Sequence, residues 1–461
     1  MAKIKTEYFC SECGWQTLKW VGQCRDCGAW GSISEGAAAA VSTAPQAIAP
    51  RTAAEPISQV NAEVARARST GVSELDRVLG GGIVPGAVVL LAGEPGVGKS
   101  TLLLDVASRA AADALASGAG PVLYISGEES ASQIKLRAER IGALHNHLLL
   151  AAEAHLETII GHIEHQNPSL LILDSIQTVF SSDTEGAAGG VTQVRAVTSK
   201  LIAAVKSRNL PVILVGHVTK DGGIAGPRVL EHLVDVVCQF EGDRHARLRL
   251  LRAVKNRYGP TDEVGCFDLN DTGIVGLPDP SGLFLSPASA DTPGTCVTVT
   301  LEGRRPMPTE VQALVAVTNA GSPRRTTSGI DHSRVAMMLA VMQARLGVDT
   351  SSTDVYVSTV GGAKTSEPAA DLATALAIMS AAADRPVKPG LVAFGEIGLT
   401  GEIRATVGVQ RRLAEAARLG FKVALVPDAG ADSLTPVKGI HIYPVADLSA
   451  AARLGLQPAK K

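Results

Sequence analysis

At 461 residues the chain has room for two to four domains. With 46% hydrophobic and 19% charged residues it is too apolar to be largely disordered. A formal net charge of -2 excludes a protein that is basic overall, so any nucleic-acid contact must come from local patches. The N-terminus lacks a signal-peptide core and no apolar run reaches about 18 residues, so we expect a cytoplasmic protein that does not engage membrane.

Residues 1–35 stand apart, because Trp15, Trp20 and Trp30, the only tryptophans, all fall there. Cys10, Cys13, Cys24 and Cys27 spell C-x2-C-x10-C-x2-C, two knuckles that can offer four thiolates to one Zn2+. Gly14 and Gly28 follow the second cysteine of each knuckle, where a tight turn would aim backbone N–H groups at sulfur. So short a segment cannot bury a core of its own, and a metal staple makes physical sense. Two disulfides are the alternative, which a reducing cytoplasm disfavours. The tryptophans could stack bases or form a small core; the balanced charge of the segment favours the core. Cys238, Cys266 and Cys296 are isolated and read as buried. Residues 36–58, rich in Ala, Pro, Ser and Thr, read as a flexible linker.

From 59 to about 285 the pattern is α/β. The stretch Thr70–Asp76 starts a short helix, and Gly80-Gly81-Gly82 ends it. The buried strand Val88–Ala92 runs into Gly93-Glu94-Pro95-Gly96-Val97-Gly98-Lys99-Ser100-Thr101, and Leu102 onward reads as a helix. Strand, glycine loop and helix make this a P-loop for ATP, with Lys99 on the β- and γ-phosphates and Ser100 on Mg2+. Further strands are expected over 121–126, 170–175 and 211–217, and their alternation with helices implies a mainly parallel sheet. Asp174 follows four apolar residues, the Walker B arrangement, and can hold Mg2+. Glu128 and Glu129 close the neighbouring strand, where one could polarise the attacking water; a helix-cap role is the alternative. His217 ends the last of these strands, where a γ-phosphate sensor would sit.

Thr219–Arg228 is glycine-rich and reads as a mobile loop carrying Lys220 and Arg228. Arg244, Arg247, Arg249 and Arg252 recur near-alternately on an expected strand pair, and Lys255-Asn256-Arg257-Tyr258-Gly259 closes it. This local cation excess suits phosphate contact, although a solvated sheet face accounts well for Arg247 and Arg249.

The order of these parts is similar to that of the bacterial RadA (Sms) family of recombination and DNA-repair ATPases. Lys255-Asn256-Arg257-Tyr258-Gly259 resembles the family's Lys-Asn-Arg-Phe-Gly, with Tyr258 keeping the ring and adding a hydroxyl. The resemblance covers essentially the whole chain. It implies a RecA-like ATPase fold, hexameric rings, and ATP-driven movement on single-stranded and branched DNA. It also implies branch migration with RecA, and admits a replicative helicase as a further partner. By the same likeness Lys255 and Arg257 reach the ATP of the next subunit as cationic fingers. DNA loops fall near Thr184–Arg195 and Lys220–Arg228, which makes Arg195, Lys220 and Arg228 the candidate DNA contacts.

Residues 286–461 form another α/β domain by pattern. Strands are expected over 297–301, 311–317 and 354–360, and Val335, Met338, Leu339, Met342 and Leu346 share one helical stripe. The domain is similar to the proteolytic domain of the Lon protease, which uses a serine and a lysine. Anchored on Gly395-Glu396-Ile397, the serine position falls on Ala369 and the lysine position near Arg412. Alanine has no nucleophile and arginine does not deprotonate, so a peptidase is excluded and a ring-forming scaffold expected. Arg304, Arg305, Arg324, Arg325 and Arg334 could add a basic rim for duplex DNA, or simply be solvated. Two functional readings remain: a DNA-dependent ATPase motor, and a nucleotide-gated, oligomeric DNA-binding adaptor that does not translocate.

Overall fold

The computed structural model describes residues 7–36, 56–59, 61–217, 227–242, 247–271, 273–286, 292–318 and 322–459. It divides into two compact units, 1–61 and 62–461. The first holds a three-stranded antiparallel sheet, with β1 (Glu7–Cys10) between β2 (Gln16–Thr17) and β3 (Ile33–Gly36). Among the described residues its core is Cys10, Cys24 and Ile33, with Tyr8, Trp15 and Val21 packed against them. Trp15 therefore serves the core, whereas Trp20 and Trp30 are 63% and 77% exposed. Most of the expected linker, 37–55, lies outside the described residues.

The second unit opens with α1 (Ser73–Leu79), closed by Gly80 in the left-handed conformation that glycine tolerates. β4 (Val88–Gly93) leads through the P-loop to α2 (Lys99–Ser117). Then come β5 (Val122–Ser126), α3 (Ala131–Ile141), β6 (Leu148–Ala152), α4 (Leu156–Gln166) and β7 (Leu170–Asp174). They are followed by α5 (Val191–Lys206), β8 (Val212–His217), α6 (Pro227–Leu230) and β9 (Val236–Glu241). A β-meander completes the sheet: β10 (Leu248–Asn256), β11 (Val264–Asn270) and β12 (Gly273–Gly276). The nine strands lie in the order β12-β11-β10-β9-β4-β8-β7-β5-β6. From β9 to β6 all neighbours are parallel, and the three meander strands are antiparallel. β4, β5 and β7 are buried along their whole length, because apolar clusters cover both faces of the sheet. β6 and β9 were not expected from the sequence: short apolar runs of five or six residues do not separate strand from buried helix.

After α7 (Ser281–Phe284) a second, seven-stranded sheet is built. β13 (Thr295–Glu302) and β14 (Arg305–Val317) form a long hairpin, joined by β15 (Arg325–Ser328) and β16 (Thr353–Thr359). α8 (His332–Leu346) and α9 (Asp371–Ala383) pack on it, and the expected stripe Val335, Met338, Leu339 and Met342 is buried against them. β17 (Leu391–Ala393) precedes the small hairpin β18 (Glu396–Ile397) and β19 (Ile403–Arg404). α10 (Val409–Arg418), β20 (Val423–Pro427), β21 (His441–Val445) and α11 (Leu448–Gly455) complete the domain.

The two sheets of this unit meet at a buried ion pair. The Arg305 guanidinium, at the start of β14, donates to the Glu74 carboxylate of α1 and to the carbonyls of Val264, Leu277 and Pro278. Both side chains are almost fully buried. This corrects the expectation of a basic rim at Arg305. Arg334 is likewise committed, with both Nε and Nη2 on Asp371. Arg325 donates to the carbonyls of Thr350 and Thr353, and Arg304 pairs with Asp262. Arg249, read as solvated, is buried. A run of alternating arginines shows strand register but not which face another layer covers.

Candidate nucleotide and metal sites

In the N-terminal unit the Sγ atoms of Cys10, Cys13, Cys24 and Cys27 all lie within 4.8 Å of one another. Cys10 and Cys27 are 3.7 Å apart and Cys13 and Cys24 3.5 Å, against about 3.8 Å for two thiolates on one tetrahedral Zn2+. All seven cysteines are unpaired. Gly14 and Gly28 have φ of +77° and +75°, and their N–H groups bond back to the carbonyls of Cys10 and Cys24, closing each knuckle. The Cys10 thiol also meets the Ser32 hydroxyl at 3.2 Å. Donor type, spacing and number fit zinc.

In the second unit the P-loop joins the carboxyl end of β4 to the N-terminus of α2. Gly96 and Gly98 take φ of +80° and +109°, which turns backbone N–H groups into the loop. A side chain on Gly93 would stand 2.6 Å from the Phe240 carbonyl, whereas one on Gly96 would meet nothing within 4 Å. The loop is thus packed against β9 beneath and open above, as a phosphate cradle requires. The Lys99 ammonium donates to the carbonyls of Gly93 and Glu94, each at 2.9 Å. Burial pulls its pKa down to about 8, and the charges of Asp174 and Glu128 offset that in part.

Four neighbouring strands, β4, β8, β7 and β5, bring the other polar groups to the same end of the sheet. Asp174 closes β7 and is buried; its Oδ2 accepts the Tyr124 hydroxyl at 2.8 Å. Glu128 Oε1 accepts the Ser175 hydroxyl at 2.5 Å and lies 3.2 Å from His217 Nε2. Gln177 Nε2 donates to the His217 carbonyl at 3.3 Å, which fixes the end of β8. Glu129 is held elsewhere: Arg137 donates to its Oε1 at 2.6 Å. A capping box of Ser130 with Gln133 starts α3 directly after the two glutamates and sets their positions. Lys99, Glu128, Asp174 and His217 therefore converge, and Glu129 turns aside. Tyr124, Ser175 and Arg137 escaped the sequence reading. The signal for Tyr124 was a single hydroxyl inside an otherwise apolar buried strand, a group that must find a partner.

Lys255 and Arg257 sit at the opposite end of the sheet. Lys255 is paired in register with Val237, itself opposite Leu90, about 10 Å along β4 from Gly93. Its ammonium donates to the carbonyls of Glu231 and Val234 at 2.7 and 2.8 Å. Arg257 Nη1 lies 3.3 Å from Asp235 Oδ1. Asn256 donates to the carbonyls of Val78 and Leu79 that end α1, and Gly259 packs on Gly80. Two members of the five-residue group thus fasten it to α1, and the two cations lie outside reach of this chain's own P-loop.

Of the candidate DNA contacts, Arg195 is exposed on α5. The loop before it is organised by Gln193, whose amide accepts from Ser181 N and donates to Ser181 and Thr184 carbonyls. Lys220 and the side chain of Arg228 lie outside the described residues.

In the C-terminal domain Ala369 is buried in the helical turn Pro368–Ala370 just before α9. Arg412, fully buried on α10, donates to Glu367 two residues before Ala369, and to the carbonyls of Val299 and Val407. Every nitrogen of the guanidinium is thus engaged, by the Glu367 ion pair and by backbone carbonyls. No helix among the described residues is long and apolar enough to cross a membrane.

Comparison with known proteins agrees with this architecture. Residues 8–35 match the family described as rubredoxin metal binding domain, 54–223 an AAA domain, and 324–430 subunit ChlI of Mg-chelatase. The chain is 54% identical over 435 residues to a DNA repair protein RadA of Mycolicibacterium smegmatis, covering 92% of each. It is 52% identical to that of Mycobacterium tuberculosis, over 98% of this chain and 93% of the relative. It is 43% identical to that of Bacillus subtilis, over 99% of this chain and 100% of the relative.

Proposed function

Because the chain belongs to the RadA family of DNA repair proteins, we propose that it is a DNA-stimulated ATPase working as a ring-shaped motor. Its substrate is single-stranded and branched DNA, and its work is branch migration of recombination intermediates together with RecA. An ATPase domain, a zinc ribbon and a Lon-like domain are the parts it has for this.

The residues divide the work as follows. The P-loop amides and Lys99 bind the β- and γ-phosphates. Ser100 and Asp174 would hold Mg2+, which when bound neutralises charge on the phosphates. Glu128 orients the attacking water and accepts its proton, with Ser175 fixing the carboxylate from below. His217, 3.2 Å from Glu128, stands where the state of that carboxylate can be passed to the segment that follows β8. Glu129 does not take part, because its charge is spent on Arg137.

One observation carries the motor reading. Lys99, Glu128, Asp174 and His217 converge at one end of the sheet, with the nearby Arg137 tied to Glu129, while Lys255 and Arg257 lie at the far end. A cation finger supplied by the neighbouring subunit couples one site to the next around a ring. Stimulation of ATP hydrolysis by single-stranded DNA, measured beside strand movement on a branched substrate, is the test. Both should be seen, and Lys99→Ala should remove both. Stimulation without movement would favour the adaptor; no stimulation would sink the motor.

A further inference from the structure

We propose that Tyr124 is the positioning residue for the magnesium-holding carboxylate: its hydroxyl fixes the plane of Asp174, committing one oxygen to the protein and leaving the other for the cation. The proposal rests on the role given to Asp174 above.

β5 and β7 are adjacent parallel strands, with Tyr124 opposite Ile172 and Ser126 opposite Asp174. The tyrosine ring lies in the apolar cluster with Leu104, Ile134 and Ala138 and is almost fully buried. From there its hydroxyl reaches two residues up the neighbouring strand and donates to Asp174 Oδ2 at 2.8 Å. No other donor is bound to that carboxylate among the described residues. Asp174 is thereby a carboxylate with one oxygen occupied and one presented, beside the buried Lys99 whose ammonium feels its charge. Partners of this kind behind a metal-holding group typically change metal affinity 10–100-fold when removed.

Tyr124→Phe keeps the ring and deletes the hydroxyl, and it should be studied in the full chain. Binding of a fluorescent ATP analogue is measured with and without Mg2+, and hydrolysis is titrated with Mg2+. We expect Mg2+-free nucleotide affinity as in the wild type, a half-saturating Mg2+ concentration raised about tenfold or more, and near-normal turnover once Mg2+ saturates. In an Asp174→Asn background the substitution should add nothing. Unchanged Mg2+ dependence overturns the proposal. So does an equal loss of nucleotide affinity with and without Mg2+, which a merely structural role would give. The two levels separate cleanly: if Asp174→Asn leaves Mg2+ dependence intact, the role of Asp174 itself fails; if only Tyr124→Phe is silent, the positioning role alone fails.

Discussion

Arg305 and Glu74, 231 positions apart in the chain, form a buried ion pair that joins the C-terminal domain to the first helix of the ATPase domain. Glu74 Oε2 also accepts the Cys266 amide at 2.8 Å, and Oε1 lies 3.5 Å from Arg77 Nε, so the pair is part of a polar knot rather than an isolated contact. Removing either partner strands a charge away from water. Arg305→Ala or Glu74→Ala should each cost about 3–5 kcal/mol in chemical denaturation of the full chain. Replacing both by apolar residues of similar volume should recover most of that. A loss below about 1 kcal/mol for the single variants would show that the seam admits water.

The second prediction concerns Lys99 and pH. Its pKa in the nucleotide-free fold is lowered to about 8, first by burial, from an ordinary value of 10.5. Between those values the unfolded chain holds a proton that the folded chain has released, so stability rises with pH through that window. Below pH 8 the burial penalty is fully present, at most about 3 kcal/mol. Denaturation of wild type against Lys99→Met should show a difference that shrinks from pH 8 to 10. Saturating nucleotide should erase the window, since phosphate keeps the ammonium charged. A flat difference would mean that water reaches Lys99.

Glu128 and Glu129 are adjacent in sequence and separated by geometry. Glu128 touches Ser175 and His217, and Glu129 is tied to Arg137. Glu128→Gln should lower kcat by about 10²-fold or more while ATP still binds. Glu129→Gln should lower it less than about tenfold. Equal losses in steady-state hydrolysis would contradict this division.

These residues also show what a sequence can and cannot convey here. The strand-loop-helix of Gly93–Thr101, the polar end of β7 at Asp174 and the meeting of the four cysteines were legible because each is set by local spacing. The ends of β5, β7 and β8 were legible because apolar runs stop at polar residues there. Tyr124 meeting Asp174, or Arg305 meeting Glu74, depends on which strands become neighbours, and local periodicity does not carry that. For the same reason Arg249, Arg305 and Arg334 looked like surface cations: a charged residue reveals its partner only once another layer is laid over it.

The zinc ribbon should be separable from the rest. Its described core is three residues, so its fold depends on the metal. Cys24→Ala, or strong chelation, should release one Zn2+ per chain and expose Trp15, seen as a shift in tryptophan emission. All tryptophans lie in this unit, so the signal is specific to it. Melting of the ATPase and Lon-like unit, followed by far-ultraviolet circular dichroism, should be unchanged. A large fall in that melting temperature would mean that the two units fold together.

The last prediction tests where the two cations act. Lys255 is held by the carbonyls of Glu231 and Val234, and Arg257 by Asp235, at the end of the sheet away from Gly93. If they serve the neighbour's ATP, a Lys255→Ala subunit has a sound P-loop and no finger, and a Lys99→Ala subunit has a finger and no sound P-loop. Each homogeneous assembly should be inactive or nearly so. In mixed assemblies, a productive junction is restored wherever a Lys99→Ala subunit offers its Lys255 to the intact P-loop of a Lys255→Ala subunit. Hydrolysis should then reappear at intermediate mixing ratios and vanish at both extremes. DNA movement should recover less than hydrolysis, because the restored junctions alternate with dead ones around the ring. A finger stabilising transition-state charge is worth about 10³-fold or more, so the recovered signal should stand well above both parents. If mixing gives only the average of the two parents, Lys255 acts within its own chain, and its bonds to Glu231 and Val234 are its whole role.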